Sequence, residues 1–430
     1  MSKKIIIFTY YWPPSGGSGV QRWLYFSFYL KKLNWDPIII TVDYNKASYS
    51  LIDESLNNIS KDLRVIRTKT SDPLRAYSKF KTGNTKDGIP QSQIDNSSLI
   101  NQFFSFIRGN FFIPDARIGW NRHAIKVSKS IIEKENIKYI ITTGPPHSSH
   151  LIGLKLVKKY KLKWLADFRD PWSNIFYNKY FYRLPYFQKK DEKYEKKVLE
   201  KASCILTTVG EDFHKLLKSK ISTKQTFFSI INGYDKGLVE SIIPKKESFF
   251  HIVYTGVLTK NQSYDSVIFA IKKLSKTYPK TPIKLTISGK VEKSIIQNIT
   301  NKISLIEVQY LGYISHREAV ILMKSANVLL NFIFNDADKF MISGKILEYM
   351  ASEIPIISIG SKENPISKLF SKSELMKVFK ADDLDGIYLF LDKLIKSWQR
   401  GIPLFNRVEK ISKYSREELS KKLDSILRDL

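Results

Sequence analysis

Apolar runs of the kind that fill buried strands recur along this chain, each followed by a loop and then by a stretch with helical spacing. Residues 4–9 form one such run, 20–33 carry helical periodicity, and 37–43 form a second apolar run. A strand, loop, helix and strand of this type make a βαβ unit on a parallel sheet, where strands are covered on both faces. The pattern returns at 138–143, with a helix expected from 155 to 159, and again at 163–167 and 203–208. After Asn232-Gly233-Tyr234-Asp235 comes a polar stretch with Pro244, Lys245, Lys246 and Glu247, and then the plan restarts. Strands are expected at 249–254, 283–288, 308–311, 328–332 and 355–359, with helices at 264–274, at 315–325 and from 344 onward.

A chain of 430 residues exceeds one typical core, which agrees with a division into two domains. The pattern predicts an α/β protein of two doubly wound, Rossmann-like domains, 1–235 and 236–430, with the last helix able to cross back to the first. In that arrangement the strand C-termini of the two domains can face each other across a cleft.

Composition narrows the function classes. With 43% hydrophobic and 13% aromatic residues the chain is globular. No run approaches the roughly 18 apolar residues of a membrane span, and the N-terminus lacks a signal peptide's apolar core, so a cytoplasmic location is expected. The single cysteine, Cys204, sits in an apolar context that reads as a buried strand residue. The six histidines show no metal-ligand spacing, so no metal site is expected. A net charge of +29 points to nucleic acid, an anionic membrane surface or phosphorylated substrates. Its spread over dispersed lysine pairs, without a recognition motif, argues against nucleic acid. Residues 72–118 fit the plan least: 83–90 form a polar loop, and 103–113 are unusually aromatic. The aromatic stretch reads either as a helix packed beneath a loop or as an interfacial patch that docks on lipid beside Arg108.

Four segments carry candidate chemistry. The loop from Pro13 to Arg22 holds Gly16, Gly17 and Gly19, which let backbone amides approach a phosphate or sugar at a helix start. It is not the dinucleotide fingerprint, because Arg22 stands where a third glycine is expected, and it lacks a Walker lysine. Gly144-Pro145-Pro146-His147 follows a strand, so His147 could serve as a hydrogen-bonding group or a base. Asp167-Phe168-Arg169-Asp170 puts three charges at a strand's end, where Arg169 and Asp170 either pair with each other or line a site. In the segment 343–358, Glu348 could accept hydrogen bonds from vicinal hydroxyls such as those of a ribose, while Gly344 and Lys345 could meet a diphosphate.

These segments, in this order, resemble the retaining GT-B glycosyltransferases of family 4, also called group 1. The glycine loop, Asn232-Gly233, Tyr254-Thr255-Gly256-Val257-Leu258, Leu311-Gly312-Tyr313-Ile314 and 344–355 each look like a piece of that family. Gly-Pro-Pro-His and Phe-Arg-Asp-Pro-Trp resemble segments of bacterial members that build surface polysaccharides. The resemblance implies transfer of a sugar, with retention and without an essential metal or other cofactor, from a nucleotide-sugar donor on the second domain. The acceptor, lipid-linked or an oligosaccharide, would sit on the first domain, and the protein would lie peripherally on the inner face of the plasma membrane. Donor binding would fall to Gly16, Gly17, Gly256, Lys260, Gly344, Lys345 and Glu348, and catalysis to Arg169, Asp170 and His147.

The chain departs from the family at several points. The first of the family's paired glutamates would fall at Phe340, with Asp338 nearby but out of step. Val257 replaces the usual basic residue, which leaves Lys260 as a substitute, and Arg169 stands where many relatives carry a histidine. A sugar-nucleotide epimerase of the same fold and a non-catalytic assembly protein are the competing readings. A nicotinamide oxidoreductase fits only the first βαβ unit with Asp43.

Overall fold

A computed structural model describes residues 3–47, 49, 51–71, 98–243, 245, 247–335, 339–402, 404–406 and 408–430. The polar loop at 83–90, Pro244, Lys246 and Asp338 lie outside the described residues. The chain divides into two compact units, Met1–Asn232 with Arg416–Leu430, and Gly233–Ser415.

The first unit is built on a 7-stranded sheet in the order β3-β2-β1-β4-β5-β6-β7. Its strands are β1 (Lys3–Phe8), β2 (Trp35–Val42), β3 (Arg64–Thr68), β4 (Tyr139–Gly144), β5 (Lys163–Phe168), β6 (Cys204–Thr207) and β7 (Phe227–Ser229). All neighbours pair in parallel. Ile5, Ile6, Ile7 and Phe8 are fully buried because β1 is central and has helices to cover both its faces. Against one face packs the helix Ser18–Lys32, whose Val20, Trp23, Leu24 and Leu30 join Ile5 and Ile7 in a single core. The final helix, Arg416–Asp429, adds Leu419, Leu423, Ile426 and Leu427 to that core, an apolar stripe at helical spacing. Each such side chain contributes about 1.5–3 kcal/mol by leaving water.

The second unit carries a 6-stranded sheet in the order β10-β9-β8-β11-β12-β13. Its strands are β8 (Phe250–Thr255), β9 (Ile283–Ser288), β10 (Glu307–Tyr310), β11 (Val328–Phe332), β12 (Ile356–Ile359) and β13 (Met376–Phe379), again parallel throughout. Both sheets are doubly wound, as the alternating pattern predicts.

Several elements differ from the sequence expectation. The helix expected at 155–159 lies earlier, at His150–Leu156. β3 and β13 are not marked by the pattern, since each is an edge strand with few buried positions. The helices Asn121–Glu135, Pro185–Lys201 and Leu384–Gln399 are likewise additions. Cys204 is buried in β6, where burial pushes its thiol up to about 12, so it is an inert packing residue. Among the described residues no helix is long and apolar enough to cross a membrane.

Candidate functional site

In open parallel sheets, ligands sit beyond the carboxyl ends of strands where the strand order reverses. That point lies between β1 and β4 in the first unit and between β8 and β11 in the second. All the predicted site segments follow strands, and most follow these four.

In the first unit, Gly17 caps the helix Ser18–Lys32 at φ +98°. The amide of Gly16 is not open to a ligand, because it donates to the Leu51 carbonyl at 3.0 Å. This corrects the expectation that Gly16 caps a diphosphate. Arg169 lies over the same loop, and a Cβ on Gly19 would overlap its guanidinium. The Arg169 Nε donates to the Gly144 carbonyl at 3.1 Å and Nη2 to the Pro145 carbonyl, so one side chain ties together the loops after β1, β4 and β5.

The ion pair at this edge is Asp167 with Arg22, not Arg169 with Asp170. Both partners are fully buried, with Nη2 to Oδ1 at 2.9 Å, and Asp167 also accepts from Trp23 Nε1 at 2.6 Å and Thr143 Oγ1 at 2.8 Å. Arg22 completes its donors on the Ile230 carbonyl at 2.7 Å and Asn232 Oδ1 at 3.3 Å. A buried pair so fully bonded holds structure and leaves no group for chemistry. Asp170, by contrast, is half-buried and makes no hydrogen bond among the described residues. Burial raises its pKa against the pull of the neighbouring Arg169.

His147 is placed differently from the expectation. Its ring stacks on Trp172 at 5.2 Å, and Nε2 lies 3.2 Å from the Pro171 carbonyl, which fixes the proton on Nε2. Nδ1 is buried with no hydrogen-bond partner. Burial, with His150 and Arg169 nearby, depresses its pKa well below the ordinary range. It is therefore a neutral, enclosed acceptor in an aromatic stack, poorly suited to taking a proton at the rim.

In the second unit the loops after β8, β9 and β10 close on one another. The Gly289 amide donates to the Gly312 carbonyl at 2.7 Å, and a Cβ on Gly289 would overlap the Gly256 carbonyl. Lys345 reaches into this corner, where Nζ donates to the Thr255 carbonyl at 2.7 Å and lies 3.8 Å from the Tyr254 ring centre. Among the described residues no carboxylate pairs with it, and burial drives its pKa well below the usual lysine range. Tyr349, from the helix Ile346–Ala351, accepts the Thr255 amide at 2.9 Å and so fixes that helix to the end of β8.

Glu348 on the same helix is buried, and its Oε1 accepts from His316 Nε2 at 2.7 Å. His316 is the functional candidate that sequence reasoning misses. It opens the helix His316–Lys324, whose start is fixed by a capping box between Ser315 and Glu318. The sequence signal available is only that box, directly after the Leu311-Gly312-Tyr313-Ile314 loop. Gly256, Lys345, Glu348 and His316 thus come together, with Gly344 in the turn before the helix. Lys260 does not join them; it is exposed and carries no ion pair among the described residues. Phe340 is half-buried and supplies no second carboxylate.

A roomy hollow lies elsewhere in the second unit. A cavity of about 570 Å³ is bordered by Phe250, Asn327, Ile354, Trp398 and Phe405. These residues sit at the starts of β8, β11 and β12 or on the chain beyond them, the edge opposite Lys345, so geometry and not volume identifies the site. Among the described residues no group of three or more His, Cys, Asp or Glu is placed to hold a metal ion.

Residues 250–373, which contain Gly256, His316, Lys345 and Glu348, match the family described as glycosyl transferases group 1. The second unit carries a glycosyl transferase group 1 domain. Around that group 1 domain the whole chain shares its fold with solved structures of low identity. Sucrose-phosphate synthase from Thermosynechococcus elongatus aligns with a TM-score of 0.66 at 15% identity, covering 99% of this chain and 98% of that one. Anabaena HepE, solved with UDP and glucose, gives 0.63 at 10% identity over 100% of both chains. A UDP-N-acetylglucosamine 2-epimerase from Listeria monocytogenes gives 0.57 at 9% identity over 100% and 96%. No curated protein matches the chain. The fold is therefore GT-B, and with its group 1 domain the chain is a glycosyltransferase.

Proposed function

We propose that the second unit binds a nucleotide-sugar and that its sugar is transferred, with retention, to a lipid-linked or polysaccharide acceptor held by the first unit, in cell-surface polysaccharide synthesis. The carrying observation is Lys345, an enclosed amine with no carboxylate partner among the described residues, one helical turn from the Glu348–His316 pair. A diphosphate at the switch point supplies the missing charge, and Glu348, held by His316, accepts from the ribose hydroxyls. In the transfer the bond from the sugar's C1 to the diphosphate oxygen breaks and the acceptor oxygen bonds to C1. The acceptor's proton leaves with the diphosphate. Stabilising that departing charge is the main electrostatic task, and a pre-placed ammonium in a dry corner performs it well. Asp170 orients the acceptor hydroxyl, and Arg169 fixes the loops around it. An acceptor on a lipid carrier brings the enzyme to the inner face of the plasma membrane.

A thermal-shift screen of UDP-, GDP-, dTDP- and ADP-sugars tests this reading. One nucleotide class should raise the melting temperature of the wild type and fail to do so with Glu348→Ala. No shift with any of them refutes it. Conversion of the sugar-nucleotide in the absence of acceptor would favour the epimerase reading instead.

A further inference from the structure

We infer that the outward face of the helix Leu99–Phe111, with the adjoining residues 182–187, docks on an anionic lipid bilayer. The inference rests on and deepens the reading of a lipid-linked acceptor. This helix is built inside out: its buried residues are Ser105, Gly109 and Asn110. At 100° per residue, Ile100, Phe103, Phe104, Ile107 and Phe111 fall within an outward arc of about 100°. Ile100 is 65% exposed, Phe103 60% and Phe111 68%.

The inward side cannot be exchanged for the outward one. Asn110 donates to the carbonyls of Phe106 at 2.8 Å and Tyr182 at 3.1 Å and accepts from the Leu184 amide at 2.7 Å. Arg183 Nε donates to the Gly109 carbonyl at 3.0 Å, and Gly109 packs directly on the Phe181 backbone. Because the polar side is fully used in holding 181–184, the apolar stripe is left outside. Phe111 packs on Phe187 with ring centres 6.1 Å apart, which carries the patch onto Tyr182, Leu184 and Tyr186, all exposed.

Charge selects the occupant. On the neighbouring helix Pro185–Lys201, Asp191 and Glu195 are buried and the exposed Glu192 accepts from Gln188, while Lys189, Lys190 and Lys193 are exposed, make no ion pair among the described residues and outnumber it. An apolar stripe with tyrosines at its edge and free lysines beside it suits the headgroup region of an anionic leaflet. A second copy of this chain across a two-fold would set the same lysines against each other.

Flotation of the full chain with phosphatidylcholine vesicles, with and without phosphatidylglycerol, tests the inference. Wild type should float with phosphatidylglycerol present and far less without it. The double variant Phe103→Ser/Phe111→Ser should lose at least about tenfold in vesicle affinity, with unchanged melting temperature, since both positions are exposed. A wild type that stays in the soluble fraction overturns the inference, as does a double variant that floats like wild type. A dimer seen by light scattering and broken by the double variant overturns it in favour of a second copy. The nucleotide-induced thermal shift is read on the same samples. An intact shift without flotation defeats docking alone, and flotation without a shift defeats the donor reading alone.

Discussion

Replacing Lys345 with Met is expected to weaken nucleotide binding while leaving the empty protein at least as stable. Among the described residues the amine meets the Thr255 carbonyl and the Tyr254 and Tyr349 rings, none of them a counter-charge, and burial depresses its pKa. The unfolded lysine titrates near 10.4, so between the lowered folded value and 10.4 the unfolded chain holds a proton that the folded chain lacks. Stability therefore rises with pH across that window and is least favoured on its acid side. Met removes this penalty and keeps the ring contact, so its advantage over Lys should be present at neutral pH and shrink toward pH 10. The loss on binding can be sized. A charge-assisted hydrogen bond to a diphosphate contributes about 1.5–3 kcal/mol, and about 2 kcal/mol is roughly thirtyfold in affinity. Nucleotide at about 100 times Kd stabilises wild type by about 2.7 kcal/mol. After a thirtyfold loss the same concentration is about 3 times Kd and stabilises by about 0.9 kcal/mol. For a unit of this size that is a fall in thermal shift from about 5–11 °C to about 2–4 °C. Thermal shift with the nucleotide that stabilises wild type, backed by calorimetric titration, measures both quantities. A Met variant with the wild-type nucleotide shift, or one that is destabilised when empty, refutes the role given to this amine.

Three further substitutions test the scaffold. Gly289→Ala, at φ +116° and against the Gly256 carbonyl, meets backbone on both counts and should cost about 2–5 kcal/mol in denaturant unfolding; a wild-type curve would mean that the loop yields. Asp167→Asn leaves Arg22 buried without its counter-charge and should cost about 3–5 kcal/mol, and a loss under about 1 kcal/mol would refute the structural assignment. His150, buried with a pKa lowered to about 3 by desolvation and then by Arg169, stays neutral in the folded chain while the unfolded residue protonates below about 6.5. Its contribution is present above pH 6.5 and is lost as pH falls toward 3, about 1.4 kcal/mol between pH 7.5 and 5.5, and His150→Asn should remove that part of the slope.

The legible parts of the fold are those with uninterrupted apolar runs. Central strands such as β1 and β8 are covered on both faces, so nearly every residue is apolar and the pattern is hard to miss. β3 and β13 are covered less and spell Arg-Val-Ile-Arg-Thr and Met-Lys-Val-Phe, too short and mixed to stand out. The site divides in the same way. Gly256, Lys345 and Glu348 stand in recognisable segments, whereas His316 becomes a candidate only through a contact with Glu348, 32 positions away. Arg22 shows the limit from the other side. Its failure to be glycine rules out a dinucleotide fingerprint, but the reason, a carboxylate 145 positions away on β5, exists only in three dimensions. Periodicity likewise gathers Ile100, Phe103 and Phe111 on one face and cannot say whether that face is inside. The bonds of Asn110 decide it.

Lys345 and the helix Leu99–Phe111 break the same rule in opposite directions, one an amine enclosed without a carboxylate partner among the described residues and the other an exposed apolar face. Each is a cost that the empty fold carries and that a partner removes, a diphosphate in one case and a bilayer in the other. They lie in different units with separate cores, and none of the groups that hold one is used to hold the other. Free energies at sites without shared partners add. Nucleotide affinity should therefore be the same within about twofold with and without saturating anionic vesicles, when titrated by fluorescence on the full chain. A change of about tenfold would mean about 1.4 kcal/mol of coupling, and would require an element that both ligands bias.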